Sequence, residues 1–263
     1  MPETETPTGE RATTTLLVAL GVSLVCSSLV ASAAVVLKPR QEANRLREVQ
    51  RNILEVSGLE GTVRLDEEGL ERVEVRVIDL QEGTYVEVDP TGFDPAEAAK
   101  DPETSVAVPP EIDRARIGRR AKWGVVYLVR SESDELERII LPVSGQGLWS
   151  TMYGFIALEM DGNTIAAVTF YEHGETPGLG DQIADPSWRS QWEGKQVFDQ
   201  EGRVRFEVAK GAVSDSDPLS THRVDGISGA TLTGNGVTHL IRYWLGDHGY
   251  GPYLDSFQGK GTP

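Results

Sequence analysis

The sequence of 263 residues predicts an α+β protein, in which one N-terminal transmembrane helix precedes a mixed α/β domain. Three observations predict this class. They are an uncharged run from Ala12 to Leu37, a series of short apolar segments between residues 73 and 210, and an amphipathic stripe near the C-terminus. The predicted organisation is a short N-terminus (1–11), a transmembrane helix (12–37), a juxtamembrane helix (38–60) and a folded domain (61–263).

The N-terminal run is long enough to cross a membrane. Its 26 uncharged residues would extend about 39 Å as a helix, more than the roughly 30 Å hydrocarbon core of a bilayer. A cleaved signal peptide is the alternative, because Ala31-Ser32-Ala33 has the pattern of a cleavage site. The segment before the run carries three glutamates and one arginine, and the run continues to Leu37. A retained anchor is therefore the favoured interpretation.

Basic residues near the membrane helix predict its orientation. Arg11 is the one basic residue before the run, whereas five follow it closely: Lys38, Arg40, Arg45, Arg47 and Arg51. The positive-inside rule therefore favours a cytoplasmic position for the large domain.

The helix signals beyond the membrane segment are of two kinds. Pro39 predicts a break or kink where the helix leaves the membrane. Apolar residues then recur at helical spacing and predict a juxtamembrane helix that ends near Gly58. The residues of this stripe are Leu46, Val49, Ile53 and Val56. A second stripe predicts the final helix, with Gly246 as its C-cap. Its residues are Val237, Leu240, Ile241, Trp244 and Leu245.

The strand signals are alternating and continuous apolar segments. The predicted strands are 73–77, 85–88, 124–130, 137–142, 152–160, 164–172 and 204–210. Residues 89–121 are rich in Pro, Asp and Glu, which predicts a surface excursion with a short helix near 95–100.

Charge argues against one class of partner. The chain carries 41 acidic and 25 basic side chains, for a formal net charge of −16. Acidic and basic groups cancel within the first 50 residues, so the whole excess lies beyond them. Such a surface repels phosphate backbones and argues against a nucleic-acid partner. It is typical either of an ordinary acidic protein or of one adapted to high salt.

Patterns for metal ligation and disulfide bonding are missing from the sequence. Cys26 is the single cysteine, so an intrachain disulfide is impossible. The histidines do not form H-E-x-x-H, and C-x-x-C does not occur, so no metal site is predicted. No residue is predicted to be catalytic.

The segment 225–231, Asp-Gly-Ile-Ser-Gly-Ala-Thr, precedes the last helix and predicts an anion-binding loop. Its glycines let the backbone approach a ligand, and the N-terminus of a helix favours a phosphate. Ser228, Thr231 and Thr233 add hydroxyl groups. An ordinary turn with a helix N-cap is the alternative. The segment lacks the lysine of a P-loop, and Ala230 stands where a nucleophile elbow requires glycine.

Two further segments have the composition of ligand-binding loops. His173–Asp181 is rich in Gly and Pro, with Leu179 for an apolar contact and Glu175 and Thr176 for hydrogen bonds. Gly145–Gly154 contains aromatic residues suited to flank a planar ring. A structural turn and core packing are the respective alternatives.

These three segments together resemble the C subunit of the sodium-translocating NADH:quinone oxidoreductase, a member of the covalent FMN-binding family. Asp225–Thr231 matches the flavinylation motif, which ends in S-G-A-T, while Gly147–Gly154 and His173–Gly180 are similar to this kind of subunit in particular. The resemblance extends from the anchor to the last helix.

The resemblance implies a covalently bound flavin. FMN would be attached by a phosphoester bond to the hydroxyl of Thr231, and a flavin transferase that uses FAD would install it. We expect contacts to the flavin from Trp149, Leu179, Glu175 and Thr176. The other cofactor-binding residues that it implies are Gly178, Asp225, Ser228, Gly229 and Ala230.

The resemblance also implies an electron carrier in a complex of the bacterial inner membrane, with the A, B, D, E and F subunits as partners. The chain would relay electrons from NADH toward ubiquinone, coupled to sodium export. Its N-terminus (1–11) would be cytoplasmic and its FMN-binding domain (61–263) periplasmic. A periplasmic position contradicts the positive-inside rule, which favours the cytoplasm for the large domain. The alternatives are the G subunit of the ferredoxin-linked ion-translocating electron-transport complex, and a membrane-anchored interaction domain without a cofactor.

Overall fold

The computed structural model describes residues 8–59, 71–214 and 216–259. The chain divides into two compact units, Met1–Glu48 and Val49–Pro263. Most of the predicted N-terminus (1–11) and the predicted boundary between residues 60 and 61 lie outside the described residues.

Helix α1 (Thr8–Ser57) contains the predicted membrane segment. Within it, Ala12–Gln41 has a mean hydropathy of 2.2 and is long and apolar enough, by length and composition, to cross a membrane. The side chains of this stretch are exposed. The break predicted at Pro39 is wrong, because the helix continues through it. A proline removes one N–H donor, and the other hydrogen bonds of a long helix sustain the structure around that loss.

A six-stranded antiparallel sheet is the framework of the second unit, in the order β2-β1-β5-β6-β7-β8. Its strands are β1 (Val73–Asp79), β2 (Tyr85–Val86), β5 (Trp123–Arg130), β6 (Leu136–Gln146), β7 (Thr151–Glu159) and β8 (Ile165–Glu172). The six corresponding predictions are confirmed with shifted ends. The predicted surface excursion contains helix α2 (Pro95–Ala98) and the pair β3 (Ser105–Ala107) and β4 (Arg119–Ala121).

The seventh predicted strand, 204–210, is shorter than expected. Only β9 (Glu207–Val208) forms there, and it pairs in parallel with β10 (Arg223–Val224). The N–H groups of Arg205 and Phe206 instead both donate to the carbonyl of Val197. Since these two donors share one carbonyl, the regular ladder is interrupted there and the strand begins only after them.

The remaining elements connect the sheet to the C-terminus. They are helix α3 (Pro186–Arg189), helix α4 (Thr231–Trp244), helix α5 (Gly251–Leu254) and 3₁₀ turns at Pro90–Gly92, Gly180–Ala184, Ser190–Trp192 and Ser220–His222. Helix α4 confirms the predicted last helix, although it begins six residues before the apolar stripe. Its C-cap is Leu245, one residue before the predicted Gly246.

Both faces of the sheet are covered, because alternate residues of a strand point to opposite sides. Ile139 and Leu141 of β6 belong to the main core, which includes the stripe of α4. Ile140 belongs to a second core with Phe155 and the end of α1. The residues that α1 contributes are Ile53, Leu54 and Val56.

Polar bonds also hold the last turns of α1 on the sheet. Arg189 Nη1 lies 2.7 Å from Glu55 Oε1 and donates to Thr169 Oγ1 at 3.0 Å. Arg138 Nη1 donates to the carbonyl of Val56 at 3.2 Å. These bonds make the end of α1 an integral part of the second unit.

Candidate functional site

The loop before α4 leads into a helix N-terminus that lacks a side-chain cap. Ala230 occupies the N-cap position, and its methyl group cannot accept a hydrogen bond from the first turn. Thr231 is the first helical residue and is exposed, as are Ser228 and Gly229. The N–H groups of the first turn and the helix dipole therefore favour an anion beside the Thr231 hydroxyl.

Two glycines determine the path of this loop. A Cβ at Gly226 would overlap the carbonyl oxygen of Ala209. Gly229 has a φ of 72°, and a Cβ there would lie 2.9 Å from Leu179 Cδ2. An alanine at Gly226 would displace the backbone, whereas an alanine at Gly229 would be strained by the positive φ and would displace the Leu179 side chain. The absence of a side chain at Gly229 allows Leu179 to approach the helix start, and its absence at Gly226 allows the backbone of residues 209–211 to pack against the loop.

Asp225 anchors the far end of the loop. Its Oδ1 accepts from the N–H of Val213 at 2.6 Å, and its carbonyl accepts from Trp188 Nε1 at 2.9 Å. Its own N–H donates to Gln191 Oε1 at 3.0 Å. These internal bonds shape the loop, and direct cofactor binding by Asp225 stays a prediction.

The three predicted segments meet at Glu175, whose side chain is buried. Its Oε1 accepts from the backbone N–H of Trp149 at 3.0 Å, and its Oε2 accepts from Thr233 Oγ1 at 2.5 Å. Gly174 N–H adds a bond to Ser150 Oγ at 2.6 Å. The loops at 147–150 and 173–181 are thereby joined to the first turn of α4.

Large apolar side chains are exposed on these joined segments. The exposed fraction is 68% for Trp149, 60% for Leu232 and about two-fifths for each of Leu148 and Leu179. Exposed apolar groups beside an anion-binding helix start suit a ligand that combines a phosphate with a planar apolar ring. The chain's own residues therefore fit FMN.

The other predicted site residues have backbone roles. The carbonyl of Thr176 accepts from the N–H groups of Leu179 and Asp181, and Gly178 is exposed with a φ of 75°. The structure thus brings Trp149, Glu175 and Leu179 close to the helix start. Sequence reasoning missed the exposed Leu232 and the bond from Thr233 to Glu175, since no pattern connects residues 58 positions apart.

Ionic groups beside the loop are paired with one another. Glu207 accepts from Arg223 and from Arg242, which joins β9 to β10 and to the end of α4. The backbone N–H of Leu219 and the guanidinium of Arg223 hold the pKa of Asp217 below its usual value. Burial, reinforced by nearby arginines, lowers the pKa of His239, so this α4 imidazole is neutral at pH 7.

Comparison with known proteins identifies the family. The family model described as FMN-binding domain matches residues 147–246, which contain 225–231, His173–Asp181 and all but the first two residues of Gly145–Gly154. The C subunit of the Na(+)-translocating NADH-quinone reductase of Yersinia pestis is 47% identical over 244 residues, covering 91% of both chains. The corresponding Pseudomonas aeruginosa protein is 48% identical over 250 residues, covering 93% of this chain and 95% of that one. The chain belongs to this C-subunit family.

Solved structures of the C-subunit family share the fold. Shewanella oneidensis NqrC matches with a TM-score of 0.75 at 37% identity, covering 82% of this chain and 99% of that chain. The C subunit from Parabacteroides distasonis matches with a TM-score of 0.62 at 26% identity, covering 83% and 96% respectively. The resemblance and the fold class are therefore confirmed. Membership of the C-subunit family also decides against the G subunit of the ferredoxin-linked complex.

Proposed function

We propose that this chain is the FMN-carrying subunit of a Na(+)-translocating NADH-quinone reductase and that it holds FMN covalently on Thr231. The observation that carries the proposal is the exposed Thr231 hydroxyl at the start of α4, where the N-cap residue is an alanine. Relatives that are 47–48% identical over more than nine-tenths of the chain support it.

Attachment uses the Thr231 hydroxyl as a nucleophile. Thr231 Oγ1 would form the new P–O bond to the FMN half of FAD and release its proton, with AMP as the leaving group. A separate flavin transferase performs this step. The resulting phosphodiester retains one negative charge, which the first turn of α4 stabilises through its N–H groups and dipole.

The surrounding residues orient the cofactor and restrict its access to water. When bound, FMN supplies reversible electron transfer. Trp149, Leu179 and Leu232 provide apolar surface for the ring, and Thr176 and Ser228 provide hydroxyl groups. Backbone conformation at Gly178 and Gly229 shapes the two loops. The chain converts no substrate by itself.

We infer that the electrons pass between an iron centre held by partner subunits and the FMN of the B subunit, on the route from NADH to ubiquinone. The A, B, D, E and F subunits are the proposed partners. Helix α1 supplies the membrane anchor, since Ala12–Gln41 is long and apolar enough for one crossing. Small and hydroxylated residues in that stretch suit close packing against other transmembrane helices.

We propose that the FMN domain is on the periplasmic side of the bacterial inner membrane. The basic residues after the span oppose this side, and we infer that packing against partner helices overrides them. A phosphatase that is active only in the periplasm, fused after Pro263, should be active in the assembled complex. A matched reporter that is active only in the cytoplasm should be silent. The reverse pattern would overturn the assignment.

Covalent flavin is tested by co-expression with a flavin transferase. After denaturation, the protein band should fluoresce as flavin on a gel, because a phosphoester survives unfolding. The matched control is expression without the transferase, which should give an unlabelled band. An unlabelled band in both cases would favour the interaction domain without a cofactor.

A further inference from the structure

We propose that Glu175 is the positioning residue of the flavin site, holding the Trp149 loop against the first turn of α4. This inference rests on the proposed function, which places the flavin at that turn. Glu175 would act through Trp149 and Thr233, because both of its carboxylate oxygens already have protein donors.

The hydrogen bonds suit an ionised carboxylate, which is an acceptor only. One donor is a backbone N–H and the other is a hydroxyl, and each reaches a different oxygen of Glu175. The residue is 5% exposed, so water competes little for these bonds. Charge-assisted bonds of this kind are roughly twice as strong as neutral ones.

Two glycines show that the carboxylate occupies a fitted space. A Cβ at Gly147 would lie 2.5 Å from Glu175 Oε1. A Cβ at Gly180 would lie 2.8 Å from Thr233 Oγ1 and 2.9 Å from Glu175 Cβ. Backbone therefore packs against the carboxylate from two different loops, and the side chain has little freedom to move.

The bond to Trp149 determines where an exposed indole ring is presented. Only the backbone N–H of Trp149 is held by Glu175, while 68% of the residue is exposed. The second bond goes to Thr233, two residues after the proposed attachment site Thr231. One carboxylate thus fixes the spacing between the Trp149 backbone, from which the indole extends, and the first turn of α4, which begins with the proposed attachment site.

The test separates hydrogen bonding from charge with two substitutions of Glu175. Glu175→Gln keeps both bonds, because its oxygen accepts from Trp149 and its NH₂ donates to the Thr233 hydroxyl. Glu175→Ala removes both. The matched control is Glu193→Gln, which alters an exposed carboxylate. All variants are prepared as the full chain in detergent, with and without flavin.

The first readout needs no flavin. We expect exchange of the Trp149 backbone amide with solvent, followed by NMR, to be about tenfold faster in Glu175→Ala, because a hydrogen bond to a charged group is lost. Glu175→Gln and Glu193→Gln should stay within about threefold of the parent rate. Unchanged exchange in Glu175→Ala would overturn the proposal. Amide exchange that is as fast in Glu175→Gln as in Glu175→Ala would also overturn it. The negative charge of Glu175, rather than its two hydrogen bonds, would then hold the Trp149 loop.

The second readout is visible circular dichroism of the labelled protein, normalised to bound flavin. The flavin signal should change in Glu175→Ala and be restored in Glu175→Gln, and an unchanged signal in Glu175→Ala would contradict the proposal. If Glu175→Ala does not fold, Thr233→Val removes one bond and should change the signal in the same direction. Failure of the proposed function can be told apart from failure of the Glu175 proposal. In the first case the parent protein would carry no flavin, and exchange of the Trp149 amide would still report on Glu175.

Discussion

Thr231→Ala should reduce covalent flavin labelling to background. The substitution removes the hydroxyl of the first residue of α4, where the proposed phosphodiester would lie beside the N–H groups of the first turn. Thr231→Ser keeps an oxygen at the same position and should retain part of the label. Ser228→Ala is the matched control, since it removes another exposed hydroxyl of the same loop and should remain labelled.

The measurement is in-gel flavin fluorescence after co-expression with the transferase, normalised to protein. Far-ultraviolet circular dichroism should be the same for all variants, because Thr231 and Ser228 are exposed. Full labelling of Thr231→Ala would contradict the assignment. Loss of label in Ser228→Ala alone would move the attachment site to Ser228.

Trp192→Ala should lower the free energy of unfolding by about 3–5 kcal/mol, the usual cost of removing a buried aromatic side chain. Trp192 is fully buried. Its ring centroid lies 4.3 Å from that of Phe206, 5.5 Å from that of Trp188 and 6.2 Å from that of Phe170. Trp188 in turn donates from its Nε1 to the carbonyl of Asp225, so this cluster supports the 225–231 loop.

Trp149→Ala is the matched control for stability. Since Trp149 is 68% exposed, its removal should change the free energy of unfolding by less than about 0.5 kcal/mol. Urea unfolding of the full chain in detergent, followed by circular dichroism, compares the two variants. Equal shifts of the urea midpoint in the two variants would contradict the buried position of Trp192 and the exposed position of Trp149.

Much of the fold could be predicted because local patterns reflect burial. Strand β6 alternates between two cores, and the stripe of α4 faces one of them. The errors arise where a nonlocal or cooperative effect prevails. Pro39 does not end α1, because a long helix tolerates the loss of one donor. The segment 204–210 forms only a short strand, because two of its N–H groups turn toward Val197.

The site was predictable only where its residues are contiguous. The 225–231 motif indicates a loop and an anion at a helix start from composition alone, and the structure has that loop before α4. The convergence of Trp149, Glu175 and Thr233 depends on how β7, β8 and α4 are arranged in space. No local signal predicts such a contact.

The central claim is tested most directly by peptide mass spectrometry of the labelled protein. Trypsin should release Val224–Arg242, which contains Thr231 with Ser228, Thr233 and Thr238 as internal alternatives. Fragmentation that preserves phosphoester bonds then locates the modification. We predict the mass of FMN less one water on Thr231. The same mass on another residue, or an unmodified peptide from fluorescent protein, would contradict covalent attachment at Thr231.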